Sequence, residues 1–263
     1  MFNAVVFPII DPVIFQIGPI SFKWYGLAYA LGLLIGIYML RKLALTGPRV
    51  LDVKDADDFL TWACLGVLLG GRIGYIVFYK PFYYLQNLEH IFYVWEGGMS
   101  FHGGFLGVAV AAILFAKRRK LNFLKFCDML SCVAPIGLFF GRIANFINQE
   151  LVGRVSDMPW AVVFPQFGID PRHPSQLYEA MLEGVLLFLI VNSAWRNAAI
   201  RGRAGVTAGV FVCGYGICRS FVEIFRLPDH HIGYLFLNTT LGQWLSLPMI
   251  FLGLYLVISS KRR

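Results

Sequence analysis

Residues 59–78 read FLTWACLGVLLGGRIGYIVF, an apolar run that carries one charged side chain, Arg72. A helix of about 20 mostly apolar residues is long enough to cross the hydrocarbon core of a bilayer. Six further stretches of this kind occupy residues 24–40, 98–116, 126–146, 176–195, 205–225 and 239–260. Together they predict an all-α polytopic membrane protein with seven transmembrane helices, forming a single integral membrane domain over residues 1–263.

The composition agrees with this class, since 58% of the residues are hydrophobic and only 14% are charged. Soluble domains carry about 25% charged residues, so a water-soluble or disordered chain is excluded. The net charge of +8 does not indicate a nucleic-acid partner, because membrane proteins collect Lys and Arg on their cytoplasmic loops. The five cysteines lie in apolar runs without metal-ligand spacing, so we expect neither a disulfide framework nor a metal site.

The distribution of basic residues predicts the orientation of the chain. Fifteen of the 23 Lys and Arg residues would lie on one side of the membrane, in loops 41–57, 117–125 and 196–203 and in the tail 261–263. They are Arg41, Lys42, Arg49, Lys54, Lys117, Arg118, Arg119, Lys120, Lys125, Arg196, Arg201, Arg203, Lys261, Arg262 and Arg263. The positive-inside rule therefore places the C-terminus in the cytoplasm and the N-terminus outside.

Three segments are expected on the outer side. Residues 1–23 contain several prolines and predict a segment lying at the membrane surface. Residues 79–97 are rich in Tyr and Phe, which suits an interfacial loop. Residues 147–175 form the longest connection and predict a small extracytoplasmic cap. Within the spans, pairs such as Gly66/Gly70 and Gly103/Gly107 predict close approach of helices.

Three arginines, Arg72, Arg142 and Arg219, each follow a charge-free run of a predicted span. The rise of an α-helix puts each guanidinium about 20 Å into a layer about 30 Å thick, in its outer third. A single arginine at this depth could reach the headgroups by extending its side chain. Three at one depth favour a functional, cavity-facing group whose shared partner is one anion, for which a lipid phosphate is the abundant candidate.

Other polar groups fall near the same predicted depth. The segment 97–104, GGMSFHGG, places His102 where it could exchange a proton or simply be hydrogen-bonded. Asn145 and Glu150 follow Arg142 and could cap the helix or hold a polar headgroup.

The two spans that follow carry more polar residues. We expect Ser175 to be an N-cap and Glu179 to be an acid of the first helical turn. Tyr215, Arg219 and Glu223 share a helix face at i, i+4 spacing. Glu223 could pair with Arg219, or with Arg226 in a structural ion pair.

The chain resembles the bacterial phosphatidylglycerol:prolipoprotein diacylglyceryl transferase family over essentially its full length. The segments that carry this resemblance are WYG at 24–26, FHGG at 101–104, GRIANFINQELVGR at 141–154, and residues 172–179 and 215–229. Ala144 and Gln149 depart from the family pattern, which usually has glycine at these two positions.

The resemblance implies transfer of the diacylglyceryl group of phosphatidylglycerol to the lipobox cysteine thiol in the signal peptide of a preprolipoprotein, with release of glycerol 1-phosphate. It implies no metal or diffusible cofactor. The implied location is the bacterial cytoplasmic (inner) membrane, among membrane lipids, with the active site toward the outer leaflet. The implied catalytic residues are His102 as candidate base, Arg142, Arg219 and Tyr215. The residues implied to bind phosphatidylglycerol are Tyr25, Arg142, Asn145, Glu150, Gly153 and Arg219.

Two other classes of function compete with this interpretation. A transporter or flippase for an anionic solute or lipid would also use intramembrane arginines. Its charges would be expected near the midplane, with an inverted repeat in the sequence, whereas the arginines of this chain are predicted in the outer third of the bilayer and no inverted repeat is visible. A non-catalytic membrane scaffold would leave the three arginines without an explanation.

Overall fold

The computed structural model describes residues 5–8, 10–18, 20–46, 50–94, 97–228 and 233–260, without the side chains of Ile20 and Phe101. Predictions that concern Arg49, Asp229, the tail 261–263 and the two chain termini lie outside the described residues.

Helices make up most of the described chain. They are α1 (Trp24–Thr46), α2 (Val53–Tyr79), α3 (Pro81–Gln86), α4 (Phe101–Arg119), α5 (Phe123–Ile147), α6 (Ser175–Glu179), α7 (Leu187–Arg196), α8 (Ala198–Arg201), α9 (Val206–Val222) and α10 (Leu241–Ser259). A π-helical segment, Ala180–Leu186, joins α6 to α7 in one continuous helix. Short 3-10 turns occupy Leu88–Phe92, Pro165–Phe167 and Phe236–Asn238.

Five of the described helices are long and apolar enough to cross a membrane. They are Trp24–Thr46, Val53–Tyr79, Phe123–Ile147, Ser175–Arg196 and Leu241–Ser259, and Val206–Val222 is a shorter apolar helix. The predicted class of mostly helical, multi-pass membrane protein is therefore confirmed. The count of seven transmembrane helices stays a prediction.

The chain divides into two compact units, and the predicted single domain stays a prediction. One unit comprises Met1–Met39 and Cys127–Arg263, and the other comprises Leu40–Phe126. In the second unit α2 packs against α4 through glycines. A Cβ atom on Gly66 would lie 2.8 Å from the carbonyl oxygen of Gly107, and one on Gly70 would lie 2.7 Å from Gly107 Cα. The predicted close approach at these glycines is confirmed.

A small sheet lies in the first unit. Its strands are β1 (Val5–Val6), β4 (Val162–Val163) and β5 (Pro171–Arg172), in the order β1-β4-β5, with β1 parallel and β5 antiparallel to β4. A separate hairpin pairs β2 (Val13–Ile17) with β3 (Ile20–Lys23). Beneath the first sheet an apolar core contains Phe7, Val152, Val162 and Phe164. Residues 147–175 thus share a small apolar core with Phe7 of the N-terminal segment. The predicted cap outside the membrane stays a prediction.

Candidate functional site

A buried network of ion pairs connects three helices of the first unit. On α5, Arg142 Nε lies 3.2 Å from Glu179 Oε2, and its Nη2 lies 3.3 Å from Glu183 Oε2. On α9, Arg219 pairs with Glu179. One carboxylate on the helix Ser175–Arg196 therefore contacts arginines from two other helices.

The network continues past the end of α9. Arg219 also pairs with Glu223, its i, i+4 neighbour. Arg226 Nη1 lies 3.5 Å from Glu179 Oε1 and 3.9 Å from Glu223 Oε1. The sequence allowed either Arg219 or Arg226 as the partner of Glu223. In the structure Glu223 contacts both, and its contact with Arg219 is the closer one.

The helix Ser175–Arg196 presents its two acids by regular geometry and close packing. Glu179 and Glu183 are four residues apart and so lie on one face. Glu183 sits in the π-helical segment Ala180–Leu186, a wide turn that is often found at functional sites. A Cβ atom on Gly184 would lie 2.7 Å from Phe139 Cβ, so the missing side chain allows α5 to come close.

The network is largely buried within the protein. The side chains of Glu179 and Glu183 are 0% exposed, and those of Arg142 and Arg219 are 15% and 14% exposed. Charges buried to this extent are costly unless each one is paired. The alternation of guanidinium and carboxylate groups provides these partners.

A chain of polar side chains connects α1 to the end of α5. Asn145 Nδ2 donates hydrogen bonds to Tyr25 Oη at 2.5 Å and to Glu150 Oε2 at 3.0 Å. Arg142 lies within electrostatic range of Tyr25. On α9, Tyr215 lies within electrostatic range of Arg142, Arg219 and Glu183. The structure therefore brings six of the sequence-predicted site residues into one region: Tyr25, Arg142, Asn145, Glu150, Tyr215 and Arg219.

Gly153 occupies a tight backbone crossing beside this region. Its N–H donates to the carbonyl of His173 at 3.0 Å, and it forms a β-bridge with Arg226. A Cβ atom here would lie 2.5 Å from His173 O and 2.8 Å from Phe225 O. This packing requires glycine whether or not the residue contacts substrate, and its role in binding stays a prediction.

The backbone before this crossing turns sharply. Gln149 and Leu151 have φ values of 55° and 56°, in the left-handed region. Glycine adopts this conformation without the steric cost that a side chain imposes. The departure from glycine at Gln149 therefore falls at a position whose backbone favours glycine, whereas Ala144 lies within α5.

Arg72 and His102 belong to the second unit. Arg72 is buried and donates hydrogen bonds to the backbone carbonyls of His90, Ile91, Tyr93, Gly97 and Gly98. Its guanidinium also lies 5.1 Å from the ring centroid of Tyr84. It therefore ties residues 90–93 and 97–98 to α2. His102 is the second residue of α4, with an exposed side chain, and its role as a base stays a prediction.

Sequence reasoning missed Glu183 and gave Glu179 and Ser175 the wrong local roles. Pro174 is the N-cap of α6, and the Ser175 hydroxyl instead donates to the carbonyl of Leu151 at 2.9 Å. Glu179 is a buried partner of three arginines. A signal was present, because two acids four residues apart in an otherwise apolar span need buried cations.

The fold and the ion-pair network define an integral membrane protein that holds a buried polar site among apolar helices. A sequence model of the family described as "Prolipoprotein diacylglyceryl transferase" matches residues 12–259. The chain belongs to this family.

Relatives match over almost the whole chain. The phosphatidylglycerol–prolipoprotein diacylglyceryl transferase of Paramagnetospirillum magneticum is 52% identical over 261 residues, covering 99% of this chain and 97% of the relative. The protein of the same name from Azospirillum brasilense is 53% identical over 262 residues, covering 99% and 98%. That of Rhodospirillum rubrum is 50% identical over 264 residues, covering 100% and 96%. The family resemblance seen in the sequence is confirmed.

Proposed function

We propose that the buried network is the site at which this membrane transferase moves the diacylglyceryl group of phosphatidylglycerol to the thiol of a prolipoprotein cysteine. The main support for placing the reaction at this network is that one carboxylate, that of Glu179, contacts both Arg142 and Arg219. Two guanidinium groups that share a carboxylate are close enough to share a phosphate. The family's activity requires a site for that phosphate.

The chemistry explains why arginines are needed. The sulfur forms a bond to a glycerol carbon while the bond from that carbon to the phosphate oxygen breaks. The departing glycerol 1-phosphate gains negative charge, which paired guanidinium donors stabilise in a water-poor site. Arg142 and Arg219 are proposed to hold these oxygens, with Tyr215 beside them.

The polar groups near α1 suit the headgroup. Tyr25, Asn145 and Glu150 form a hydrogen-bonded chain that offers both donors and acceptors to a glycerol. Gly153 keeps the neighbouring backbone close. The thiol is mostly protonated at neutral pH, so a base assists its attack, and we propose His102 as this base.

The proposed setting is the bacterial cytoplasmic membrane, with the site toward the outer leaflet and the C-terminus in the cytoplasm. The acceptor would be the lipobox cysteine of a preprolipoprotein signal peptide. The uneven distribution of basic residues supports this orientation. Cysteine introduced at Ser156 should react with an impermeant thiol reagent from outside intact cells. Labelling only after the cells are opened would reverse the orientation.

Activity is tested with purified protein, labelled phosphatidylglycerol and a lipobox peptide in detergent. Arg142→Lys and Arg219→Lys should each lower transfer by on the order of 10²–10³, because lysine keeps the charge but loses the bidentate fork. Arg118→Lys on the surface of α4 is the matched control and should transfer at the wild-type rate. Near-normal transfer by either site variant would contradict phosphate binding at that arginine.

A further inference from the structure

The described ion pairs of the buried network join equal numbers of cations and acids. In the part of the chain that the structure describes, its ion pairs join three guanidinium groups, those of Arg142, Arg219 and Arg226, to three carboxylates, those of Glu179, Glu183 and Glu223. Other charged groups lie beside the network: the Arg154 and Arg172 guanidinium groups donate to backbone carbonyls, and the Glu150 carboxylate accepts from Asn145.

A phosphodiester that enters this network adds a negative charge to the three carboxylates that its three guanidinium groups already pair with. An uncompensated charge in a buried site is costly, and a buried carboxylate commonly responds by taking up a proton and becoming neutral. Binding of an anionic lipid here is therefore expected to favour protonation of one of the three acids.

The three acids differ in the number of arginines that stabilise their charge. Glu179 contacts three arginines and Glu223 contacts two. In the described structure the ion pair of Glu183 is with Arg142 alone, and its side chain is 0% exposed. Glu183 is thus the acid whose charge is stabilised least.

We propose that phosphatidylglycerol binds together with one proton, which Glu183 takes up, so that Arg142 Nη2 is released from this carboxylate and turns to the lipid phosphate. The inference rests on the proposed function, because it requires the phosphate to bind at Arg142 and Arg219. The charged and titratable groups that surround Glu183 are Glu179 on its own helix, Arg142 on α5, and Tyr215, Cys218 and Arg219 on α9.

Lipid binding without acceptor peptide isolates this step, because no transfer can follow. Titration calorimetry with phosphatidylglycerol in detergent micelles, in buffers of different ionisation heat, counts the protons taken up. We expect about one proton per lipid in the wild-type protein. The dissociation constant should rise with pH, with a limiting slope of about tenfold per pH unit for one linked proton.

Glu183→Gln mimics the protonated acid. It should bind phosphatidylglycerol with a dissociation constant independent of pH, and more tightly than the wild type at the alkaline end of the range. Glu89→Gln makes the same change at an exposed acid outside the network and should keep the wild-type slope. Difference infrared spectra on lipid addition should show the C=O band of a protonated carboxyl in the wild type, and this band should be missing in Glu183→Gln.

Two failures are distinguishable. If the Arg142→Lys/Arg219→Lys double variant binds the lipid as well as the wild type, the proposed phosphate site is wrong. If binding depends on these arginines but takes up no proton, or if Glu183→Gln keeps the wild-type pH slope, the proton coupling is wrong. The proton count uses the wild-type protein, so it decides the question even if Glu183→Gln does not fold.

Discussion

The carboxylate of Asp128 accepts a hydrogen bond from the Ala208 N–H at 2.8 Å, although 80 residues of chain separate the two. Its other oxygen accepts from Gly205 N–H, also at 2.8 Å. An acid of α5 therefore caps the first turn of α9, where backbone donors have no partner within the helix and the helix dipole favours negative charge. This contact helps to set the position of the helix that carries Tyr215 and Arg219.

Asp128→Ala should therefore destabilise the protein by about 1–3 kcal/mol, since it leaves buried N–H groups without an acceptor. Thermal unfolding in detergent, followed by size-exclusion chromatography, measures the loss. Asp170→Ala removes an exposed acid and is the control, with an expected change within about 0.5 kcal/mol. Equal melting temperatures for the two variants would mean that the hydrogen bonds of Asp128 to α9 contribute nothing to stability.

Gly153→Ala should lower both stability and transfer activity. The added Cβ would meet two backbone oxygens, those of His173 and Phe225, which cannot move aside as a side chain can. The expected destabilisation is about 1–3 kcal/mol, typical of overpacking. Gly36→Ala is the control, because a Cβ there meets nothing within 4 Å. If Gly153→Ala loses activity at unchanged stability, a direct contact with substrate becomes the better explanation.

Much of the fold follows from the sequence because its signals are local. A long apolar run specifies a membrane helix by itself, and Gly66 and Gly70 mark a close contact without information about their partners. Length and composition also predict a small cap over residues 147–175, and this stays a prediction.

The contacts between the site residues could be predicted only in part. Depth along a span grouped Arg72 with Arg142 and Arg219, but depth does not say which helices are neighbours or which way they face. Arg72 is engaged by backbone carbonyls of its own unit, whereas Arg142 and Arg219 meet at Glu179. Glu183 lies in a π-helical segment, whose presence the pattern of apolar residues does not indicate.

His173 predicts a pH dependence of stability. Burial, followed by the nearby Arg154 guanidinium, lowers the pKa of the His173 imidazole below its usual value, and the Asp157 carboxylate partly opposes this. A histidine whose pKa is lower in the folded state contributes stability above its unfolded pKa of about 6.5, and this is lost as the pH falls through the folded pKa. The melting temperature of the wild type should therefore fall as the pH is lowered from about 7 to about 5.

His173→Gln should flatten this part of the profile, because glutamine keeps hydrogen bonding toward Tyr178 but does not titrate. The comparison uses the difference between the two melting curves, so that other titrating groups cancel. Parallel profiles for the two proteins would contradict the role of His173.

The cysteines of the chain should be dispensable for transfer, so that the acceptor thiol comes from the substrate alone. Cys132 is buried, and its Sγ lies 3.4 Å from the Asp128 carbonyl. Cys218 precedes Arg219 in sequence, but its Sγ lies 3.7 Å from the carbonyl of Leu182, while the Arg219 guanidinium is paired with glutamates. Successive helical residues point about 100° apart, so this adjacency does not create a stabilised thiolate.

A variant with all five cysteines replaced by alanine or serine should still transfer lipid to a lipobox peptide, with some loss of melting temperature from altered packing. Direct transfer needs one displacement at the glycerol carbon, whereas a lipidated enzyme intermediate needs two. Mass spectrometry of the wild-type protein incubated with phosphatidylglycerol alone should find no diacylglyceryl adduct. A folded but inactive variant that is rescued by restoring Cys218, together with such an adduct on Cys218, would replace direct transfer by a covalent mechanism.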